Sequence, residues 1–286
     1  MSKLKAIQPK LASPSKPKIL VFGKAGVGKT WTALDFPSVY YIDCEGGANL
    51  PHYTDKLARS NGVYFGIEQG SQDFATVIEQ IKALATEKHE YRTVIIDSIT
   101  KIFNNEIQKE AERLGDKDAF GASKKPAVAF TRKLISWVDK LDMNVILIAH
   151  EKPMWANDKQ IGVTYDAYDK LEYELHLNLN ITKQGETRKA IVKKTRLLGF
   201  ADGSSFEWSY AKFAELYGKD IIERQSKVFE VTTPEQIAEI TRLLSVVKLG
   251  DSAADKRIED IRENLDEIDT EKAQNVITYL TKKLGV

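Results

Sequence analysis

Residues 18–30 read Lys-Ile-Leu-Val-Phe-Gly-Lys-Ala-Gly-Val-Gly-Lys-Thr. An apolar run ends on Gly23, two more glycines follow at 26 and 28, and Lys29-Thr30 open a helical pattern that continues to Leu34. The eight residues Gly23, Lys24, Ala25, Gly26, Val27, Gly28, Lys29 and Thr30 fit the phosphate-loop pattern, and the strand before and helix after them distinguish the match from a chance glycine turn. Glycines let the backbone wrap so that successive N–H groups and the helix start face phosphate oxygens. Lys29 then brings a charge to the β and γ oxygens, and the Thr30 hydroxyl ligates Mg²⁺. The stretch predicts a site for ATP with Mg²⁺, with Trp31, the next residue, counted among the nucleotide-binding positions.

Outward from this loop, short apolar runs alternate with helical patterns through the first 150 residues, which predicts βαβ units and a parallel sheet. The strand candidates are 18–22, 39–43, 62–67, 93–97 and 144–150, several too apolar to have a wet face. Helical patterns cover 29–34, 73–86, 98–113 and 127–140. Residues 151–167 show no sustained periodicity. Beyond them, 171–182 and 188–197 alternate as two strands about a Lys-Gln-Gly-Glu turn, a β-hairpin. Past Val228 the pattern is helical, with Thr233-Pro234-Glu235 as a helix start and an apolar stripe at Ile237, Ile240, Leu243 and Leu244. Helical patterns continue over 255–265 and 270–284. The chain is therefore divided into a mobile basic arm (1–17), an α/β core (18–225) and a small all-helical domain (226–286).

The 286 residues are 42% apolar and 29% charged, a composition that excludes general disorder. No apolar run approaches the ~20 residues of a membrane span and no hydrophobic signal segment opens the chain, so a cytosolic protein without a membrane partner is expected. A lone cysteine, Cys44, and four scattered histidines lack zinc-site spacing, and Cys44 is assigned no chemistry. The net charge of +1 hides a gradient. The first 18 residues hold five lysines and no acid, whereas 226–286 hold nine basic against twelve acidic residues, a net −3.

A triphosphate site needs a carboxylate near its metal, and Asp97 ends the apolar strand Val94-Ile95-Ile96. Because Ser98 follows it, a second acid must come from elsewhere. Glu45, just past the strand ending on Asp43, could reach an attacking water at the carboxyl edge of a parallel sheet. Asp43 would support that strand end. His150 ends the next strand and could bond a γ-phosphate. Lys193, Lys194 and Arg196 lie late in the hairpin, where a cation supplied to a neighbouring subunit would stabilise developing phosphate charge. Each has a plain structural alternative: a loop acid, a polar strand end, and an edge strand blunted by charges.

Over residues 18–210 the order of elements resembles the RecA-like recombinase ATPases. Gly23–Thr30 is similar to their Walker A motif, Ile42–Glu45 to the strand with the catalytic glutamate, and Ile95–Ser98 to Walker B. Residues 186–193 resemble the hairpin with an intersubunit lysine finger, and 194–199 resemble a Lys-x-Arg finger. Tyr53 is similar, with a one-residue slip, to the adenine-stacking tyrosine, and His150 stands where the family usually has Gln. The short core with Ile-Ala-His-Glu-Lys most resembles the phage core-only recombinases of the Sak group, ATP-dependent single-strand annealing proteins.

The resemblance implies a RecA-like P-loop NTPase core plus the helical domain. It implies ATP and Mg²⁺ held by Lys29, Thr30 and Asp97, water activated by Glu45, and Lys193, Lys194 or Arg196 completing a neighbour's site in a filament or ring. It also implies that single-stranded DNA binds two loops. Lys117, Lys124 and Lys125 would lie in the first, and Lys152, Trp155, Lys159 and Tyr165 in the second, with cations for phosphates and aromatics for bases; the structural alternative is two solvated loops. The expected function is a DNA-dependent ATPase promoting annealing or recombination, encoded by a phage and working in the host cytoplasm, with a single-strand-binding protein as a further partner. The rival is a nucleotide-gated adaptor or loader for a replication or recombination partner that barely hydrolyses ATP.

Overall fold

The computed structural model describes residues 6, 14–118 and 121–284. The chain forms two compact units, one running to Lys227 apart from Leu84–Lys88, the other made of Leu84–Lys88 and the chain from Val228. Strands of the first unit are β1 (Lys18–Gly23), β2 (Val39–Asp43), β3 (Val63–Phe65), β4 (Thr93–Asp97), β5 (Asn144–Ala156), β6 (Lys159–Tyr165), β7 (Leu177–Gln184), β8 (Thr187–Thr195) and β9 (Ser205–Glu207). Helices α1 (Lys29–Ala33), α2 (Pro51–Arg59), α3 (Phe74–Thr86), α4 (Ile99–Leu114), α5 (Lys124–Lys140), α6 (Leu171–Glu174), α7 (Tyr210–Tyr217) and α8 (Lys219–Glu223) connect them.

The strand order is β3-β2-β4-β5-β1-β7-β8-β9, with β6 paired to the outer part of β5. From β3 to β7 all neighbours are parallel; β8 and β9 are antiparallel additions. β1, β4 and the first six residues of β5 are buried throughout, which is why they read as continuous apolar runs. Residues such as Ile146 and Leu147 are fully covered, and truncating either to Ala would cost about 2–5 kcal/mol. This is the RecA-like P-loop core: a mostly parallel sheet flanked by helices, closed by a β-hairpin.

Several elements depart from the sequence reading. Residues 151–167, read as aperiodic, are mostly a β-ribbon: β5 runs on past His150 and folds back as β6. Its turn is Asn157-Asp158, both with positive φ (48° and 59°), the backbone of a tight hairpin turn. No period shows because much of the ribbon is exposed, and Pro153 is tolerated because β5 has only one neighbour there. In the predicted strand 171–182, Leu171–Glu174 is a helical turn and pairing starts at Leu177. Helices α2, α7 and α8 and strand β9 were not predicted. Of the arm expected over 1–17, residues 1–5 and 7–13 lie outside the described residues. Its end is docked: the Lys16 ammonium is buried on the Arg224 carbonyl, and Tyr217 OH donates to Ser15 O at 2.6 Å.

The second unit contains α9 (Pro234–Val246), α10 (Ala253–Ile261) and α11 (Thr270–Leu284) around Ile240, Leu243, Ile258, Ala273 and Leu280. Thr233 and Gln236 form a capping box with Pro234 in the first turn. The buried carboxylate of Asp255 accepts from Lys283 at 2.6 Å and Tyr279 at 3.2 Å.

Candidate nucleotide-binding site

Sheet register brings the site together. Val21 pairs with Ile148, Ile148 with Asp97, and Asp97 with Asp43, so these four residues lie level across β1, β5, β4 and β2. Gly23, His150 and Glu45 each stand two residues further along their own chain segments. They therefore emerge together at the carboxyl edge of the sheet, where ligands bind in open parallel sheets. The pocket they line holds about 580 Å³ and includes Lys24, Ala25, Gly26, Lys29, Thr30, Tyr53, Asp97 and Glu151.

The phosphate loop leaves β1 at Gly23, where a side chain would collide with the Ile181 carbonyl. Lys29 Nζ donates to the loop carbonyls of Gly23 (2.8 Å) and Lys24 (2.9 Å), and burial lowers its pKa. Thr30 Oγ1 donates to Asp97 Oδ2 at 2.5 Å, and Tyr41 OH reaches the same oxygen at 3.3 Å. Desolvation pushes the Asp97 carboxyl up to about 6, which leaves its charge under-compensated and suits an incoming cation. A threonine hydroxyl beside a buried carboxylate fits a hard oxygen-seeking ion such as Mg²⁺. Among the described residues no group of three or more His, Cys, Asp or Glu could hold a metal.

Glu45 is placed by Asp43, whose carboxylate accepts from the backbone N–H groups of Glu45 (3.1 Å), Gly47 (3.0 Å) and Ala48 (2.7 Å). Oε1 of Glu45 receives Ser98 Oγ at 2.5 Å and lies 2.5 Å from His150 Nε2. The His150 bond lowers the Glu45 pKa and raises that of His150. The backbone N–H of His150 donates to Thr100 Oγ1, and Thr100 Oγ1 donates to Asp166 O. This knot ties the strand end to the base of the β5–β6 ribbon. Sequence reasoning missed Ser98, Thr100 and Glu151; Ser98 immediately follows Asp97 and caps α4, which was the available signal.

Other expected residues lie elsewhere. Trp31 faces α2 rather than the loop: it lines a neighbouring hollow of about 470 Å³ and has the Lys56 ammonium 3.8 Å above its ring. Val27 packs into the core. Lys193, Lys194 and Arg196 do not reach their own chain's pocket, because β8 runs antiparallel and carries them to the opposite edge, where Lys194 is level with Asn178 at the start of β7. Lys194 and Arg196 donate to the Leu175 and Tyr173 carbonyls, whereas Lys193 is exposed. Lys124 and Lys125 begin α5 rather than lying in a loop, and Lys117 ends a short 3₁₀ turn. Trp155 and Lys159 are exposed on the ribbon, but Lys152 is near Asp166 and Asp169 at 3.6 and 3.5 Å, and Tyr165 is buried. Cys44 is buried, which raises its thiol pKa.

Fold and phosphate loop together define a P-loop NTPase core of RecA-like architecture. The chain belongs to the AAA-domain family, whose model matches residues 15–206. No curated protein matches it. Solved structures similar to it include a RadB recombinase at 17% identity, covering 68% of this chain and 87% of that one, with a TM-score of 0.45. The flagellar accessory protein FlaH from Methanocaldococcus jannaschii is 12% identical over 68% and 85% of the two chains, with a TM-score of 0.38. An ATPase of the type III secretion system of pathogenic bacteria is 13% identical over 94% and 80%, with a TM-score of 0.42. No helix among the described residues is long and apolar enough to cross a membrane.

Proposed function

We propose that this protein is an ATP hydrolase that assembles on single-stranded DNA and promotes annealing or homologous recombination, as a phage-encoded protein would in its host's cytoplasm. One observation carries the reading: His150 touches the Glu45 carboxylate with its ring, while its backbone begins the ribbon that exposes Trp155 and Lys159. A strand lying on that ribbon would act directly on the residue that holds the base. Exposed aromatics with cations suit single-stranded nucleic acid, whose bases offer stacking faces and whose phosphates need neutralising.

In the hydrolysis, phosphates lie along the Gly23–Lys29 loop with Lys29 at the β and γ oxygens. Thr30 and, through water, Asp97 would hold Mg²⁺, which supplies charge neutralisation to the phosphates. Glu45 takes a proton from a water whose oxygen bonds the γ-phosphorus as the bond to the β–γ bridging oxygen breaks, leaving ADP and phosphate. His150 hydrogen-bonds the γ-phosphate and reports its loss to the ribbon. The exposed Lys193 completes the site of an adjoining copy. Its position away from its own pocket suits a head-to-tail assembly, in which the surface that gives differs from the one that receives.

The test is ATP turnover with and without single-stranded oligonucleotide, and annealing of complementary strands. Stimulation of turnover by the oligonucleotide that is lost in Glu45→Gln supports the reading. ATP binding without turnover or DNA binding at low salt would favour the adaptor instead.

A further inference from the structure

A residue outside the pocket as drawn lies directly on its phosphate loop. Arg188, near the start of β8, extends across the Cα of Gly28, so that any side chain at 28 would collide with its Nε and Cδ. Gly28 also has φ +90°, so glycine is required there twice over, once by the backbone and once by the arginine. Arg188 Nε is buried and has no hydrogen-bond partner, and among the described residues no carboxylate pairs with its guanidinium.

Such a placement is unfavourable for a residue with only a packing role. A guanidinium has five donors and is never deprotonated in a protein, and a buried donor without an acceptor is costly. It stands on a loop that already carries two lysines, Lys29 in the position after Gly28 and Lys24 four residues before it. A buried guanidinium nitrogen that has no acceptor, set against a loop of backbone N–H groups, calls for an anion. The planar fork of arginine matches phosphate oxygens in two-point geometry.

We propose that Arg188 is a phosphate-contacting residue of this nucleotide site, supplied by the same chain through the β7–β8 hairpin and binding the polyphosphate beside Gly28. The proposal rests on the reading of the pocket as a triphosphate site and adds a ligand to it. It also gives the hairpin two ends with different tasks: Arg188 serves its own nucleotide at one edge of the sheet, while Lys193 is presented at the other.

Binding of a non-hydrolysable ATP analogue, measured by calorimetry at several salt concentrations, tests this in wild type, Lys29→Ala, Arg188→Met and Arg188→Gln. Methionine keeps the packed stem and removes the charge; should it fail to fold by circular dichroism, the glutamine variant, also neutral, decides by the same criteria. The expected result for the deciding variant is affinity at least about tenfold weaker, with a shallower dependence on salt because one phosphate contact is missing. Affinity within twofold of wild type, or a loss with unchanged salt dependence, overturns the proposal. No analogue binding by wild type, or binding undiminished in Lys29→Ala, would instead remove the triphosphate reading itself.

Discussion

Nε2 of His150 lies 2.5 Å from Oε1 of Glu45, across 105 residues of sequence. Ser98 Oγ donates to the same oxygen, so one side of the carboxylate is held from the start of α4 and from β5. The pairing shifts both groups toward their charged forms, Glu45 downward and His150 upward. A base held in this way stays ionised at neutral pH and is aimed rather than free to turn.

Replacing Glu45 by Gln should lower ATP turnover by about 10²–10⁴-fold while nucleotide affinity changes little, as expected when only the proton acceptor is removed. The same variant should bring the His150 titration down toward its ordinary value, read from imidazole proton shifts. The His150 contribution to folding is fully present below its unfolded pKa and is lost as pH rises through the raised folded value. An unchanged His150 titration in Glu45→Gln would contradict the contact.

Asp97 → Asn should stabilise the nucleotide-free protein near pH 7.5 by roughly 1–3 kcal/mol, because the buried carboxyl has been raised to about 6. A folded pKa above the unfolded one gives a contribution that is fully present below the unfolded value and is lost as pH rises through about 6, so the advantage of the variant should shrink as pH falls and vanish only below the ordinary carboxyl value of 3.8. Chemical denaturation at the two pH values checks the sign. The variant should at the same time lose the gain in nucleotide affinity that Mg²⁺ provides.

Trp155, 61% exposed, makes little contribution to folding, so Trp155→Ala should leave stability within about 0.5 kcal/mol. It should weaken binding of a single-stranded oligonucleotide by about 1–3 kcal/mol with an unchanged salt slope. Lys159→Ala should instead flatten the slope of log affinity against log salt by about 0.7. Fluorescence anisotropy measures both.

If Lys193 acts on an adjoining copy, Lys193→Ala and Lys29→Ala proteins should each be inactive alone yet recover activity when mixed. In an equal mixture about a quarter of the interfaces pair an intact loop with an intact lysine, so turnover near that fraction is expected. No recovery on mixing would place the lysine outside the chemistry.

In the helical unit, Lys283 beside Asp255 holds its carboxyl down at about 2. That stabilisation is present above the ordinary carboxylate range and is lost as pH falls through about 2. Asp255→Asn should therefore lower the melting temperature at pH 7 but not at pH 2, followed by circular dichroism.

What the amino-acid order settled alone is local. The Gly23–Thr30 loop, the apolar runs of β1 and β4 and the Thr233-Pro234 helix start depend on backbone permissiveness, capping and burial over a few neighbouring residues, all of which can be read along the chain. Local rules lose their hold where an element has no buried face, as in the ribbon of β5 and β6, although Asn157-Asp158 marked its turn. They also cannot show that Trp31 faces α2 or that Lys16 is docked. The contacts among Glu45, Ser98 and His150, and the placing of Arg188 on Gly28, were decided by tertiary structure. They arise from strand order and register, and a register joins residues that are distant in sequence through backbone pairing that no single segment specifies.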